Sequence, residues 1–168
     1  VPTKHSDMSF AASLGGGNFE YSGTDLNGYL GQRRNVLRPR FWRMTADLLR
    51  FYKETKKYIG DPRADEMSLG AYLAEHNYRP GFLKDHLMPM GAAIWSTTAA
   101  EMAAYPACAF FRFFESHGLL LLADRPPWRT VDGGSRAYVE RLAAPYRDKV
   151  LYHGVRSIKR FTDHVIIE

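Results

Sequence analysis

The chain has 168 residues, 45% hydrophobic and 24% charged, which excludes disordered, collagenous and low-complexity proteins and leaves enough length for a self-supporting core. Its 23 basic against 18 acidic residues give a net charge of +5, enough to attract polyanions but far from a dedicated nucleic-acid binder. A lone cysteine, Cys108, can close no internal disulfide and build no cysteine zinc site, which favours a reducing, cytoplasmic setting.

The first seven residues, Val1-Pro2-Thr3-Lys4-His5-Ser6-Asp7, contain no apolar run and do not read as a signal peptide. The missing initiator methionine points to a fragment or a processed chain. Residues 8–13 and 19–21 flank Gly15-Gly16-Gly17-Asn18 and read as a β-hairpin. The triple glycine lacks the spacing of a phosphate-binding loop and reads as a flexible tip. Thr24 or Asp25 can cap a short helix to about Leu30. Pro39 stands where a first helical turn tolerates it, and a long helix is predicted over 41–59. Its apolar stripe is Phe41, Leu48, Tyr52 and Ile59, widened by Trp42, Leu49 and Phe51. Arg43, Asp47, Arg50, Glu54 and Lys57 form the polar side.

Ser68 caps a further short helix over 69–75 without a capping box, and another follows around 81–87. Between 88 and 123 the acids and bases are only Glu101, Arg112 and Glu115. Helices are predicted near 92–96, 98–104 and 106–116, the last ended by His117-Gly118 and apolar on nearly every side, as in a buried or cavity-lining helix. The charge-free run from Leu87 to Ala100 contains Pro89 and Gly91 and is too short to span a membrane. After Pro126-Pro127, residues 128–131 look extended. Gly133-Gly134-Ser135 turns into a helix over 136–144 with Ser135 as N-cap. Residues 150–152, 155–161 and 164–167 read as strands, with Thr162-Asp163 a tight turn. The fold class is therefore α+β: one mainly helical lobe over 1–168 with short antiparallel strands at both ends, divided into a hairpin (1–23), a helical region (24–123) and a strand–helix–strand tail (124–168).

No chemistry stands out in isolation. The six histidines are scattered without metal-ligand spacing and read as surface or capping residues. Cys108 sits in an apolar run and reads as an inert small hydrophobe, and no serine-hydrolase elbow is present. Arg33, Arg34, Arg38, Arg40 and Arg43 fall within eleven residues, interleaved with Phe41 and Trp42. They define the alternative function, a binding or adaptor module for nucleic acid or an anionic membrane surface, against a plain solvated face; weak, non-specific nucleic-acid binding is the expectation.

The tail carries a resemblance. Trp128-Arg129-Thr130-Val131-Asp132-Gly133-Gly134-Ser135-Arg136-Ala137-Tyr138-Val139-Glu140, followed by Val155-Arg156-Ser157-Ile158, resembles the flavin-containing amine oxidase superfamily, where a G-G-S turn opens a helix and a V-x-x-I strand follows. Ser6-Asp7-Met8-Ser9-Phe10, Pro89-Met90-Gly91-Ala92-Ala93-Ile94-Trp95-Ser96 and His117-Gly118-Leu119-Leu120 resemble its bacterial branch of predicted NAD/FAD-binding proteins. Full-length relatives open on a strand–G-x-G-x-x-G–helix unit, which this chain lacks. The resemblance implies the substrate-binding lobe of an FAD-dependent oxidoreductase, with FAD held mainly by a missing flavin domain and the isolated chain colourless and inactive. It implies that Val155 offers its backbone to the adenine ring, where the residues alone read an ordinary strand position. Trp95, Ser96, Phe110 and Phe114 are the candidate substrate-lining residues, with plain core as the competing reading. The Met- and Phe-rich middle points to an apolar, acyl-chain-like substrate. Self-association through surface left bare by the missing domain is a further expectation.

Overall fold

The computed structural model describes residues 1–6, 10–122 and 124–168; the start of the expected first strand and part of the Ser6–Phe10 block lie outside them. The chain forms two compact units, one of residues 7–128 and one of 1–6 with 129–168. Strand β1 (Thr3–His5) belongs to the second unit.

In the larger unit, β2 (Ala11–Leu14) and β3 (Phe19–Ser22) pair antiparallel, Ala12 opposite Tyr21 and Leu14 opposite Phe19. Gly15, Gly16 and Gly17 all take positive φ at the tip, which glycine adopts at little steric cost. Helix α1 (Leu26–Tyr29) is capped by Asp25, whose carboxylate accepts the Gly28 N–H at 2.6 Å. Helix α2 (Pro39–Glu54) starts with proline in its first turn and continues as a tighter turn over Thr55–Tyr58, so the predicted single helix to 59 changes pitch before its end. Phe41, Met44, Leu48, Phe51 and Tyr52 are buried along one side, while Trp42 and Leu49 stay half exposed. Asp47, expected on the polar side, is buried: it accepts the Arg79 N–H at 3.1 Å and faces Arg50 and Arg79.

Short helices follow: α3 (Pro62–Asp65), α4 (Leu69–Glu75) and α5 (Pro80–Phe82). Ser68 caps α4 through the Ala71 N–H, as its position predicts. After α5 the chain widens into a π-turn over Leu83–Leu87 and runs on as α6 (Met88–Trp95), where separate helices were expected. The Met88 N–H reaches back to the Leu83 carbonyl, one residue further than in an α-helix. Pro89 has no N–H for the Asp85 carbonyl, and that carbonyl accepts the Tyr21 hydroxyl at 2.7 Å instead.

Helix α7 (Ala99–Ala104) opens on a full capping box between Thr98 and Glu101, and α8 (Ala107–Ser116) ends at His117 with Gly118 at φ +67°. The core gathers around Phe51, whose ring meets those of Phe82, Phe110 and Phe111 at centroid distances of 5.6, 6.4 and 6.0 Å. Each such fully buried ring contributes roughly 2–3 kcal/mol. Cys108 is buried in the same helix, as an inert small hydrophobe would be.

In the smaller unit β1 pairs antiparallel with β4 (Arg129–Val131), Thr3 opposite Val131, a pairing across the whole sequence. Gly133 and Gly134 take φ of +79° and +74° to turn the chain into α9 (Ser135–Ala143). The N-cap is Gly134, not the expected Ser135, and no side chain caps that end. Residues 150–157 are not in strands; the predicted tail strands reduce to β5 (Ile158–Arg160) and β6 (Val165–Ile167), paired around the expected Thr162-Asp163 turn. No residue of this unit is buried. Leu142, Leu151, Tyr152, Val155, Ile158 and Ile167 all face outward.

Candidate functional site

The hairpin and the π-turn meet in one hydrogen-bonded group. His86, 5% exposed, lies under the hairpin with its ring stacked on those of Tyr21 and Phe82. Its Nδ1 is 2.9 Å from the Tyr21 hydroxyl. A phenol has one proton, and Tyr21 donates it to the Asp85 carbonyl, which can only accept. His86 therefore carries its proton on Nδ1 and donates it to Tyr21, which leaves Nε2 a bare lone pair. That Nε2 is buried without a hydrogen-bond partner. Burial drives the imidazole pKa down to about 4, so the ring is neutral near pH 7. The histidine spacing alone suggested surface or capping roles. Two histidines do cap: His76 donates to the Tyr72 carbonyl and His117 to the Phe113 carbonyl, at 2.9 and 2.8 Å. His86 does not, because the π-turn rotates it inward.

Beside it, the Asp85 carboxylate is 3% exposed and receives both Nε and Nη2 of Arg40 at 2.6 Å. The bidentate bond is the main cause holding the Arg40 pKa above its ordinary value. Other arginines of the basic stretch also bond to carbonyls of their own unit, although Arg34 and Arg40 stay exposed. Arg34 donates to the Gly17 carbonyl at 3.1 Å, and Arg38 donates to the carbonyl of Asn18. These arginines fix the hairpin to the start of α2, and none of these contacts favours a polyanion-binding face.

Two clefts, of about 320 and 270 Å³, adjoin this group and share Gly23, Tyr52, His86 and Arg125 in their walls. Leu48 and Leu49 of α2 and Leu122 line the first; Met90 and Ile94 of α6 and Leu119 line the second. Both are mainly apolar. Arg125 is held at their shared wall, Nε donating to the Leu121 carbonyl at 2.9 Å and Nη1 to the Gly23 carbonyl at 3.2 Å. Burial pushes the Tyr52 phenol pKa up, and the nearby Arg125 charge offsets part of that rise. Tyr52, His86 and Arg125 thus stand in the wall shared by the two clefts, and Asp25 adds a carboxylate to the wall of the first, while the His86 Nε2 is itself buried. Among the described residues, no group of three metal-ligating side chains is placed to hold a metal ion.

No family model, curated protein or solved structure matches this chain. Among the described residues, no helix is long and apolar enough to cross a membrane.

The residues singled out from sequence lie as follows. Trp95 ends α6 and stacks on Phe110 and Phe114, at 5.4 and 6.5 Å between centroids. Phe110 and Phe114 are fully buried in the core, and Ser96 takes the left-handed conformation that ends α6 at φ +51°. The cleft walls come instead from their neighbours Met90 and Ile94. Val155 lies in the other unit, outside any strand and 56% exposed. Among the described residues its backbone N–H and carbonyl make no backbone hydrogen bond. Sequence reasoning missed Tyr52, His86 and Arg125 as a group. The usable signal was Pro89 four residues after Asp85, which frees a carbonyl inside a helix and calls for a donor nearby.

Proposed function

We propose that this chain is the substrate-binding lobe of an FAD-dependent oxidoreductase of the amine-oxidase type, its helical unit holding an apolar substrate and its tail unit docking on a flavin domain. The carrying observation is the contrast between the two units. Residues 7–128 enclose a dense aromatic core with a mainly apolar double cleft. The other unit has regular elements but no buried residue, and its hydrophobic side chains point outward. Folded elements without a core need a partner surface to cover them.

The residues present fit a shared role with FAD. Val155 has an open backbone, as a contact to an adenine edge requires. No G-x-G-x-x-G motif stands in the sequence to hold the pyrophosphate, so that task falls to the partner domain. The bound flavin would supply the hydride acceptor. This chain would orient the substrate along the apolar walls and exclude water.

The test is the visible absorption spectrum of the complete gene product from which the chain comes, set beside that of the isolated 168-residue chain. The expected result is stoichiometric bound flavin in the first and a colourless second. A flavin-free gene product, or stoichiometric flavin in the isolated chain, overturns the reading.

A further inference from the structure

We infer that the exposed face of α2 and the tight turn before it form a membrane-binding surface, which seats on anionic lipid headgroups and opens the first cleft towards the acyl chains. The inference goes beyond the substrate-lobe reading and needs no flavin. It starts from a second apolar stripe on α2. Away from the buried side, Trp42, Ala46 and Leu49 follow one another at helical spacing, and all three are exposed. The Trp42 indole donates to the Val36 carbonyl at 2.8 Å, which holds the ring against the turn Arg33–Leu37. That turn ends on Leu37, 86% exposed, next to the exposed Val36. At the other end of the stripe, Leu49 is in the wall of the first cleft with Leu26 and Leu122, two more exposed leucines. Single exposed apolar residues are ordinary, but a run of them leading into an apolar cleft marks a contact surface.

Charge selects the partner. Arg33, Arg34, Arg38, Arg40 and Arg43 fall between Asp25 and Asp47 with no acid among them. Of the five, only Arg40 is in a salt bridge among the described residues. The carbonyl contacts of Arg34 and Arg38 name no partner by themselves, and they leave both charges uncompensated. In the three-residue period of the turn, Arg33 is in register with Val36 and Arg34 with Leu37, so cations and apolar side chains share its sides. Of the two flanking acids, Asp47 is buried against Arg50 and Arg79, and Asp25 accepts the Gly28 N–H. A nucleic acid would use the arginines and leave the leucines in water. A bilayer interface uses both. Its anionic headgroups meet the guanidinium groups, the amphipathic indole sits at headgroup depth, and the aliphatic side chains enter the acyl boundary. An apolar ligand then passes from lipid into the cleft without crossing water.

Flotation of the full chain with vesicles of phosphatidylcholine, alone or with one quarter phosphatidylserine, tests this. The expected result is binding to the anionic vesicles about tenfold tighter than to the neutral ones, weakened by added salt. Arg33→Gln/Arg43→Gln cuts that preference several-fold. Leu37→Ser/Trp42→Ser leaves the charge unchanged and weakens binding by about tenfold. All four side chains are exposed, so both variants keep the fold. Brominated acyl chains quench the tryptophan emission of the wild-type chain, and Trp42→Phe removes most of that quenching. The outward hydrophobic side chains of the other unit offer a competing surface, and Leu151→Ser/Tyr152→Ser is expected to leave vesicle binding unchanged. The inference is overturned by no binding to anionic vesicles, by an anionic preference unchanged in Arg33→Gln/Arg43→Gln, or by binding that survives Leu37→Ser/Trp42→Ser. Quenching that survives Trp42→Phe, or binding lost in Leu151→Ser/Tyr152→Ser, overturns it equally. The assay contains no flavin, so a flavin-free gene product would sink the oxidoreductase reading and leave this result standing.

Discussion

At the scale of single residues, His86 sets a measurable pH dependence. An ordinary histidine titrates near 6.5, and burial lowers this one to about 4. Between those values the unfolded chain binds a proton that the folded chain refuses, so stability falls as pH drops from 6.5 and this contribution levels off below about 4. The full loss is of the order of 3 kcal/mol. Urea unfolding from pH 7 to pH 4 is expected to show that slope, and His86→Phe to flatten it. A wild-type profile as flat as the variant's would mean His86 is not held neutral in the fold. The sequence hid this residue because the inward turn comes from a π-segment rather than from α-helical spacing. Asp47 was misread for a related reason: it looks like a polar-face residue until Arg79, thirty-two positions away, folds over it.

At the scale of elements, close helix contacts decide what the glycines do. In α4, a Cβ added at Gly70 would stand 3.0 Å from the Ala103 carbonyl oxygen of α7 and 3.3 Å from the Ala103 Cβ. Alanine gains about 1 kcal/mol of helix propensity over glycine, but overpacking against backbone costs roughly 1–3 kcal/mol. Gly70→Ala is therefore expected to lower stability by about 1 kcal/mol in urea unfolding; a stabilised variant would show that the two helices are not in contact. Helix existence was legible because caps and prolines mark it: Asp25, Ser68 and Pro39 all act where their spacing puts them. Strand ends were not. Residues 150–157 have strand-like composition, yet β-propensity mostly reflects packing against neighbours, and these residues lack a buried face.

At the scale of the whole molecule, the mainly helical α+β class with short antiparallel pairs was readable from residue pattern, because local signals dominate it. The pairing of β1 with β4 was not, since nothing in Thr3-Lys4-His5 specifies Arg129-Thr130-Val131. The aromatic middle was rightly read as dense apolar matter, and Met90 and Ile94 of it line a cleft. The polar centre of that cleft comes from Tyr52, His86 and Arg125, which only the tertiary fold brings together. The most direct test of the substrate-lobe proposal is anaerobic reduction of the flavin it assigns to the complete gene product, followed by its visible absorption. The account predicts bleaching by apolar, acyl-chain-like substrates, slowed by filling the cleft with Met90→Trp. Rapid bleaching by small polar amines, unchanged in that variant, would contradict it.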